Sequence, residues 1–329
     1  MTDRELKEMV VGPRVRAADV RSRTEGSFTR SAEVRPFAAA FLLGAVTLAS
    51  VSPLAQAVQK AMYVSVVDQA GAPVPDLGPS DFIVREDDVA REVLNVVPAD
   101  EPMQVAVLVD TSDVAREQIP YLRDAVPTFV NTLIWGGARN QVAIVGFGER
   151  PTILADYTSN SAVLKKATDL IWANPMSGPY LLDTILELSE GITKREALRP
   201  VIVAIAAEGQ ELSYRHDDQV LDRLRKSGAQ LYVLMLGTPY GGRNEEARSR
   251  EIVISRGPDD SGGRREQVLT AIGLGSRLKL LADQLRHQYR VTYSRPQTLI
   301  PPEKVTVRAK GAGRTARGAL IKDRRQTPQ

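Results

Sequence analysis

A chain of 329 residues that is 43% hydrophobic and 25% charged holds enough apolar material for a sizeable core, which excludes a disordered or fibrous protein. The formal charge is +3, and the first 57 residues carry eight Lys/Arg against six Asp/Glu, so the remainder nets +1 and gives no electrostatic case for nucleic acid. Cysteine is absent, which excludes thiol catalysis, Cys-ligated metals and disulfides.

In chain order, Arg35 precedes an uncharged apolar run from Pro36 to Val51, followed by Pro53 and the small-x-small triplet Ala55-Gln56-Ala57. This is the layout of a secretory signal peptide, with cleavage leaving Val58 first. The run is short of the about 20 apolar residues that span a bilayer; an uncleaved N-terminal anchor is the alternative. Residues 1–33 are mixed in charge and fit no n-region.

Met62 to Val67 alternates and is β-branched, as a half-buried strand requires, and Gln69 to Pro73 has turn chemistry. Phe82 to Arg85 and Glu92 to Val97 repeat the pattern around Glu86-Asp87-Asp88, which predicts a small β-unit. From there apolar strands alternate with amphipathic helices, the pattern of a parallel sheet covered on both faces. The predicted strands are Val105 to Val109, Gln141 to Val145, a short Thr152 to Leu154, the wholly aliphatic and therefore central Pro200 to Ala206, and Leu231 to Leu236. The predicted helices are Ile119 to Leu133 with a kink at Pro127, Ala162 to Ile171, Leu181 to Ile192, Asp218 to Lys226 stopped by Gly228, and Arg277 to His287. Gly237 to Gly263, dense in Gly, Arg and Glu, reads as a surface excursion with a strand at Glu251 to Ser255. Gln288 to Tyr293, Lys304 to Arg308 and Arg317 to Ile321 read as strands. The basic end of the chain (Lys304, Arg308, Lys310, Arg314, Arg317, Lys322, Arg324, Arg325) reads as a strand edge guarded against aggregation.

The run Val105 to Val109 stops at Asp110-Thr111-Ser112-Asp113-Val114. It resembles the first strand and metal-site loop, Asp-x-Ser-x-Ser, of a von Willebrand factor A (VWA) domain. Val66 to Leu77 with Asp81-Phe82 and Glu86-Asp87, and Leu285 to Tyr293 with its Gln-Tyr strand, are similar to the opening and close of a VWA-related family of exported bacterial proteins. The resemblance runs from about Val58 to about Ile321. It implies a doubly wound, mostly parallel α/β sheet with helices on both faces, plus a β-rich unit from the two chain ends. The boundaries implied are a leader to 57, β-strands over 58–98, the α/β domain over 99–287, strands over 288–322 and a tail over 323–329.

The family holds a divalent cation with three loops, and all three are altered here. Val114 stands at the second Ser, Pro179 at the Thr of Ser177-Gly178-Pro179-Tyr180-Leu181-Leu182-Asp183, and Glu208 at the Asp of Ala206-Ala207-Glu208-Gly209. Two hydroxyls are gone and one carboxylate is displaced, leaving Asp110, Ser112 and Glu208 as remnants that Ser177 or Asp113 could supplement. The same residues also fit structural roles, with Asp110 or Ser112 capping a helix near Ala115 and Glu208 on an exposed loop.

Other chemistry is thin. His216 opens a helix among charges and His287 sits at a helix C-terminus. No serine stands in a nucleophile elbow, and the glycines at 241–242 and 273–275 lack the rest of a phosphate or dinucleotide loop. Trp135 and Trp172 follow apolar helical runs and read as core or boundary packing. The function expected is an exported, non-catalytic protein-interaction module, periplasmic, secreted or envelope-associated, with a protein partner and no cofactor. A Mg- or Ca-dependent adhesion domain and a hydrolase on an α/β scaffold are the alternatives.

Overall fold

A computed structural model describes residues 57–135, 139–297 and 300–322. The expected signal peptide, and the tail with Arg324 and Arg325, lie outside the described residues. The chain opens with β1 (Ala57–Val67), β2 (Phe82–Glu86), β3 (Val89–Arg91) and β4 (Val93–Pro98). There follow β5 (Met103–Val109), α1 (Ile119–Ile134), β6 (Gln141–Phe147), β7 (Pro151–Thr158), α2 (Ser161–Asp169), α3 (Leu181–Arg195), β8 (Arg199–Ala207), α4 (Asp217–Ser227), β9 (Gln230–Leu236), α5 (Glu245–Ser261), β10 (Arg264–Val268) and α6 (Leu274–Arg286). It closes with β11 (Tyr289–Pro296), β12 (Val305–Ala309) and β13 (Thr315–Leu320). No helix among the described residues is long and apolar enough to cross a membrane.

Six strands form the central sheet in the order β10-β9-β8-β5-β6-β7, parallel except for the edge strand β7. Successive side chains point to opposite faces of a strand, and both faces here are covered. Val105, Val107 and Val109 of β5 pack with Leu122, Val126 and Phe129 of α1 and with Leu278 and Leu285 of α6. Leu108 turns the other way, into the layer of Ile185 from α3, Leu224 from α4 and Val253 from α5. This two-sided burial is why β5, β8 and β9 are continuous apolar runs.

The two chain ends pair with each other. One antiparallel sheet has the order β13-β1-β11-β4, in which N- and C-terminal strands alternate, and a second has the order β12-β2-β3, in which C-terminal β12 pairs with N-terminal β2. Met62, Val64, Phe82, Val84, Val291 and Tyr293 fill the core between them. β12 and β13 are edge strands, as their basic composition suggests, and Arg317 of β13 bonds Asp259 at 2.7 Å. Buried Arg199, at the start of β8, joins this unit to the central sheet. It donates to Ala99 O at 3.2 Å and to Gln288 Oε1 at 2.7 Å, and Gln288 in turn donates to Ser65 Oγ at 2.9 Å and Gln230 Oε1 at 2.7 Å.

The segment read as an excursion with a strand at Glu251 to Ser255 is instead the helix α5, followed by the edge strand β10. Asn244 Oδ1 caps its start by accepting from Ala247 N at 3.2 Å, and Gly262 ends it at φ 77°. Its inward face is sparse in hydrocarbon, with Arg250, Gly257 and Pro258 buried beside Val253 and Ile254, so the apolar period is weak. β7 is longer than expected because it pairs along β6.

Candidate functional site

The strand order reverses between β5 and β8, and in an open α/β sheet the crevice beyond the carboxyl ends at such a switch point is where ligands sit. Asp110 ends β5 there, fully buried. Its Oδ1 accepts from Ser112 N at 2.9 Å and its Oδ2 from Ala207 N at 2.9 Å. Asp110 therefore ties the first loop to β8; it does not cap a helix. Burial pushes its carboxyl above the usual range, opposed by those hydrogen bonds and by the Arg250 charge. Buried Ser112 stands at the N-cap of a 3₁₀ turn, Asp113–Gln118, with no side-chain capping bond, and α1 begins only at Ile119.

Val114 is 43% exposed and its methyls press on Gly209, where a Cβ would lie 2.8 Å from Val114 Cγ1. Asp113 gives its N–H to Ser177 O at 3.0 Å and pairs its carboxylate with Arg116. Ser177 Oγ donates to Asn174 O at 2.9 Å, and Pro179 is buried, its carbonyl accepting Leu212 N at 3.0 Å. Glu208 is not an idle exposed carboxylate. Its side chain is nearly buried, Oε2 accepting from Tyr240 N and Oε1 from Gln267 Nε2, each at 3.1 Å.

Two residues not singled out from the sequence complete the cluster. Arg250 of α5, 5% exposed, donates to Gly209 O and Ala207 O, each at 2.9 Å. Glu211, fully buried, accepts from Leu181 N at 3.0 Å and Ser213 Oγ at 2.6 Å, which places negative charge at the N-terminus of α3. Burial pushes its carboxyl up to about 7, against the hydrogen bond from Ser213 and the charge of Arg250. The signal for Arg250 was present: 250, 253, 254 and 257 follow helical spacing on one face. Glu211 left no signal beyond a polar loop.

The three loops thus adjoin, through Asp113 N to Ser177 O and through Asp110 Oδ2 to Ala207 N. A magnesium ion requires six oxygens in near-octahedral array. Both oxygens of Asp110 and both of Glu208 accept from an N–H donor, and hydrocarbon and a ring stand at Val114 and Pro179. Among the described residues no three His, Cys, Asp or Glu side chains gather. Above this base the loops expose Met176 (96%), Tyr214 (84%) and Tyr240 (50%), and the rings of Tyr180 and Tyr214 lie 6.2 Å apart. His216 faces Glu245 at 3.4 Å, and His287 Nδ1 lies 2.7 Å from Asp283 O. Trp135 (73%) and Trp172 (62%) are exposed and not packed in the core, because Leu133 and Ile171 take the inward positions; Arg123 covers the Trp172 ring at 3.7 Å.

No protein-family model and no curated protein matches the chain. Solved structures similar to it include a von Willebrand factor type A protein from Catenulispora acidiphila, at 14% identity over 80% of this chain and 72% of that one, TM-score 0.45. Proximal thread matrix protein 1 from the mussel byssus, with a zinc-occupied MIDAS motif, matches at 17% identity over 61% of this chain and 50% of that one, TM-score 0.46. The vWF domain of the type V pili tip protein Mfa5 from Porphyromonas gingivalis matches at 9% identity over 57% of this chain and 96% of that one, TM-score 0.44. With parallel strands in the order β10-β9-β8-β5-β6, the antiparallel edge strand β7, helices on both faces and the Asp110 loop at the switch point, the chain has a VWA-related fold.

Proposed function

We propose that this is an exported, non-catalytic interaction module that grips a protein partner through the loops at the carboxyl ends of β5, β8 and β9, without a divalent cation. The observation that carries the reading is the exposed Tyr214 and Tyr240 on the loops after β8 and β9, with exposed Met176 on the adjoining loop between α2 and α3, over a base whose Asp110 and Glu208 carboxylates accept hydrogen bonds from the loops themselves. Met and Tyr are residue types that protein interfaces favour, because they offer large contact area. The apolar leader supports export.

The test is crosslinked capture of partners from an envelope extract by the purified chain, with and without EDTA, using the parent and a Met176→Asp/Tyr214→Ala variant. The parent should capture the same partner in both conditions, and the variant should lose at least about tenfold in affinity, the result of removing two contact residues. Capture that requires magnesium or calcium and vanishes in Asp110→Ala would replace this reading with a metal-dependent adhesion site. Capture indifferent to the variant would place the partner on another face.

A further inference from the structure

The switch-point loops carry three buried or nearly buried carboxylates, and Arg250 lies within 4 Å of two of them. Arg250 is drawn inward because Val253, Ile254 and Gly257 share its face of α5, and Gly257 lets the helix approach: a Cβ there would meet Leu231 Cδ2 at 3.0 Å. Its guanidinium holds the carbonyls of Ala207 and Gly209. Its Nη1 is 3.5 Å from Glu208 Oε2, and its Nε is 3.7 Å from Glu211 Oε2. These separations exceed those of a bidentate clamp, so the charge is shared between two carboxylates and not committed to either. Asp110 joins through one residue, since Ala207 gives its N–H to Asp110 and its carbonyl to Arg250. Glu211 Oε2 has no hydrogen-bond partner, so the nearby guanidinium is what compensates its buried charge.

We propose that Arg250 is an internal counter-cation, doing for Asp110, Glu208 and Glu211 what a divalent ion would otherwise do and closing the loops with a covalently attached charge. The proposal rests on the metal-independent reading above and adds the residue that replaces the ion. Guanidinium remains protonated at any working pH and cannot be stripped by a chelator, so the loop surface keeps one shape whatever the cation supply.

The experiment measures thermal unfolding of the full chain at about pH 8, where Glu211 is ionised, in EDTA and in about 10 mM calcium or manganese chloride. The variants are Arg250→Gln, Arg250→Lys and Arg250→Gln/Glu208→Gln. The parent should ignore the cations. Arg250→Gln should lose roughly 10 °C in EDTA, because removing one partner of a buried charge group leaves the rest uncompensated, and either cation should restore roughly half of that loss. Arg250→Lys should keep most of the parent's melting temperature and stay insensitive to cations, while the double variant should lose the rescue. An Arg250→Gln protein that no cation stabilises, or an Arg250→Lys protein as unstable as Arg250→Gln, would overturn the proposal and leave Arg250 as a hydrogen-bond donor only. Should Arg250→Gln fail to fold in EDTA, the comparison of Arg250→Lys with the parent decides by itself. A parent stabilised by calcium through Asp110 would instead overturn the metal-independent reading, an outcome distinct from failure of the Arg250 variants.

Discussion

Glu211 makes stability depend on pH in a direction opposite to that of most carboxylates. In the folded chain its carboxyl titrates at about 7 against an ordinary 4.5, with burial the main cause. Between those values the folded state holds a proton that the unfolded state has released, so stability falls as pH rises. The contribution is fully present below 4.5 and gone above about 7. The gap corresponds to about 3 kcal/mol, and the side chain's complete burial leaves little solvent screening to reduce it. Asp110, raised by its own burial, acts in the same sense. Asp156 and Asp222, both lowered, act in the opposite sense but are solvent-exposed and titrate below the window. Glu211→Gln keeps an oxygen for Leu181 N and Ser213 and removes the titration. Urea unfolding followed by far-UV circular dichroism from about pH 5 to about pH 8 should lower the parent's midpoint by roughly 1 M. The variant's midpoint should fall by markedly less, by the share that Glu211 contributes. A parent that gains stability toward pH 8, or a Glu211→Gln protein that keeps the parent's slope, would refute this account.

Arg199→Met leaves the carbonyls of Ala99 and Leu285 and the amide of Gln288 without their buried donor, and should destabilise by about 3 kcal/mol. Hydrogen exchange should then quicken along β1, which holds Ser65, and β11, which follows Gln288, before it quickens in β8; uniform acceleration would show that Arg199 does not join the two parts. Gly209→Ala drives a Cβ to 2.8 Å from Val114 Cγ1 and should cost about 1–3 kcal/mol, most of it recovered in Gly209→Ala/Val114→Ala. A double variant no more stable than Gly209→Ala would mean that Val114 is not what bars a side chain at 209.

Much of this molecule was legible in its sequence where burial acts on both faces of an element. The aliphatic runs of β5, β8 and β9 announce themselves because no position along them meets water, and the Asp-x-Ser turn after β5 marks the switch point. The pairing of chain ends was legible from two sets of strands each too small to bury a core. What failed was inference along a single element whose partners lie far away in the chain. The bond from Asp110 to Ala207 spans 97 residues, and those from Glu208 to Tyr240 and Gln267 span 32 and 59, so a local reading offers capping or an idle loop instead.

α5 failed for a reason that connects fold to site. Its inward face holds an arginine and a glycine where a helix ordinarily places Leu or Ile, and a charged residue at a core position cancels the apolar period by which helices are recognised. A buried arginine is tolerated only when carboxylates or carbonyls surround it. Glu208 and Glu211, three residues apart on the loop after β8, and the carbonyls of Ala207 and Gly209 provide that shell. The residue that hid the helix is thus the one that the altered loops require. Read from β8 alone, Glu208 is a misplaced metal ligand; read together with α5, it is one side of a buried charge cluster that spans 41 residues to Arg250 Nη1 at the Gly209 carbonyl next to it.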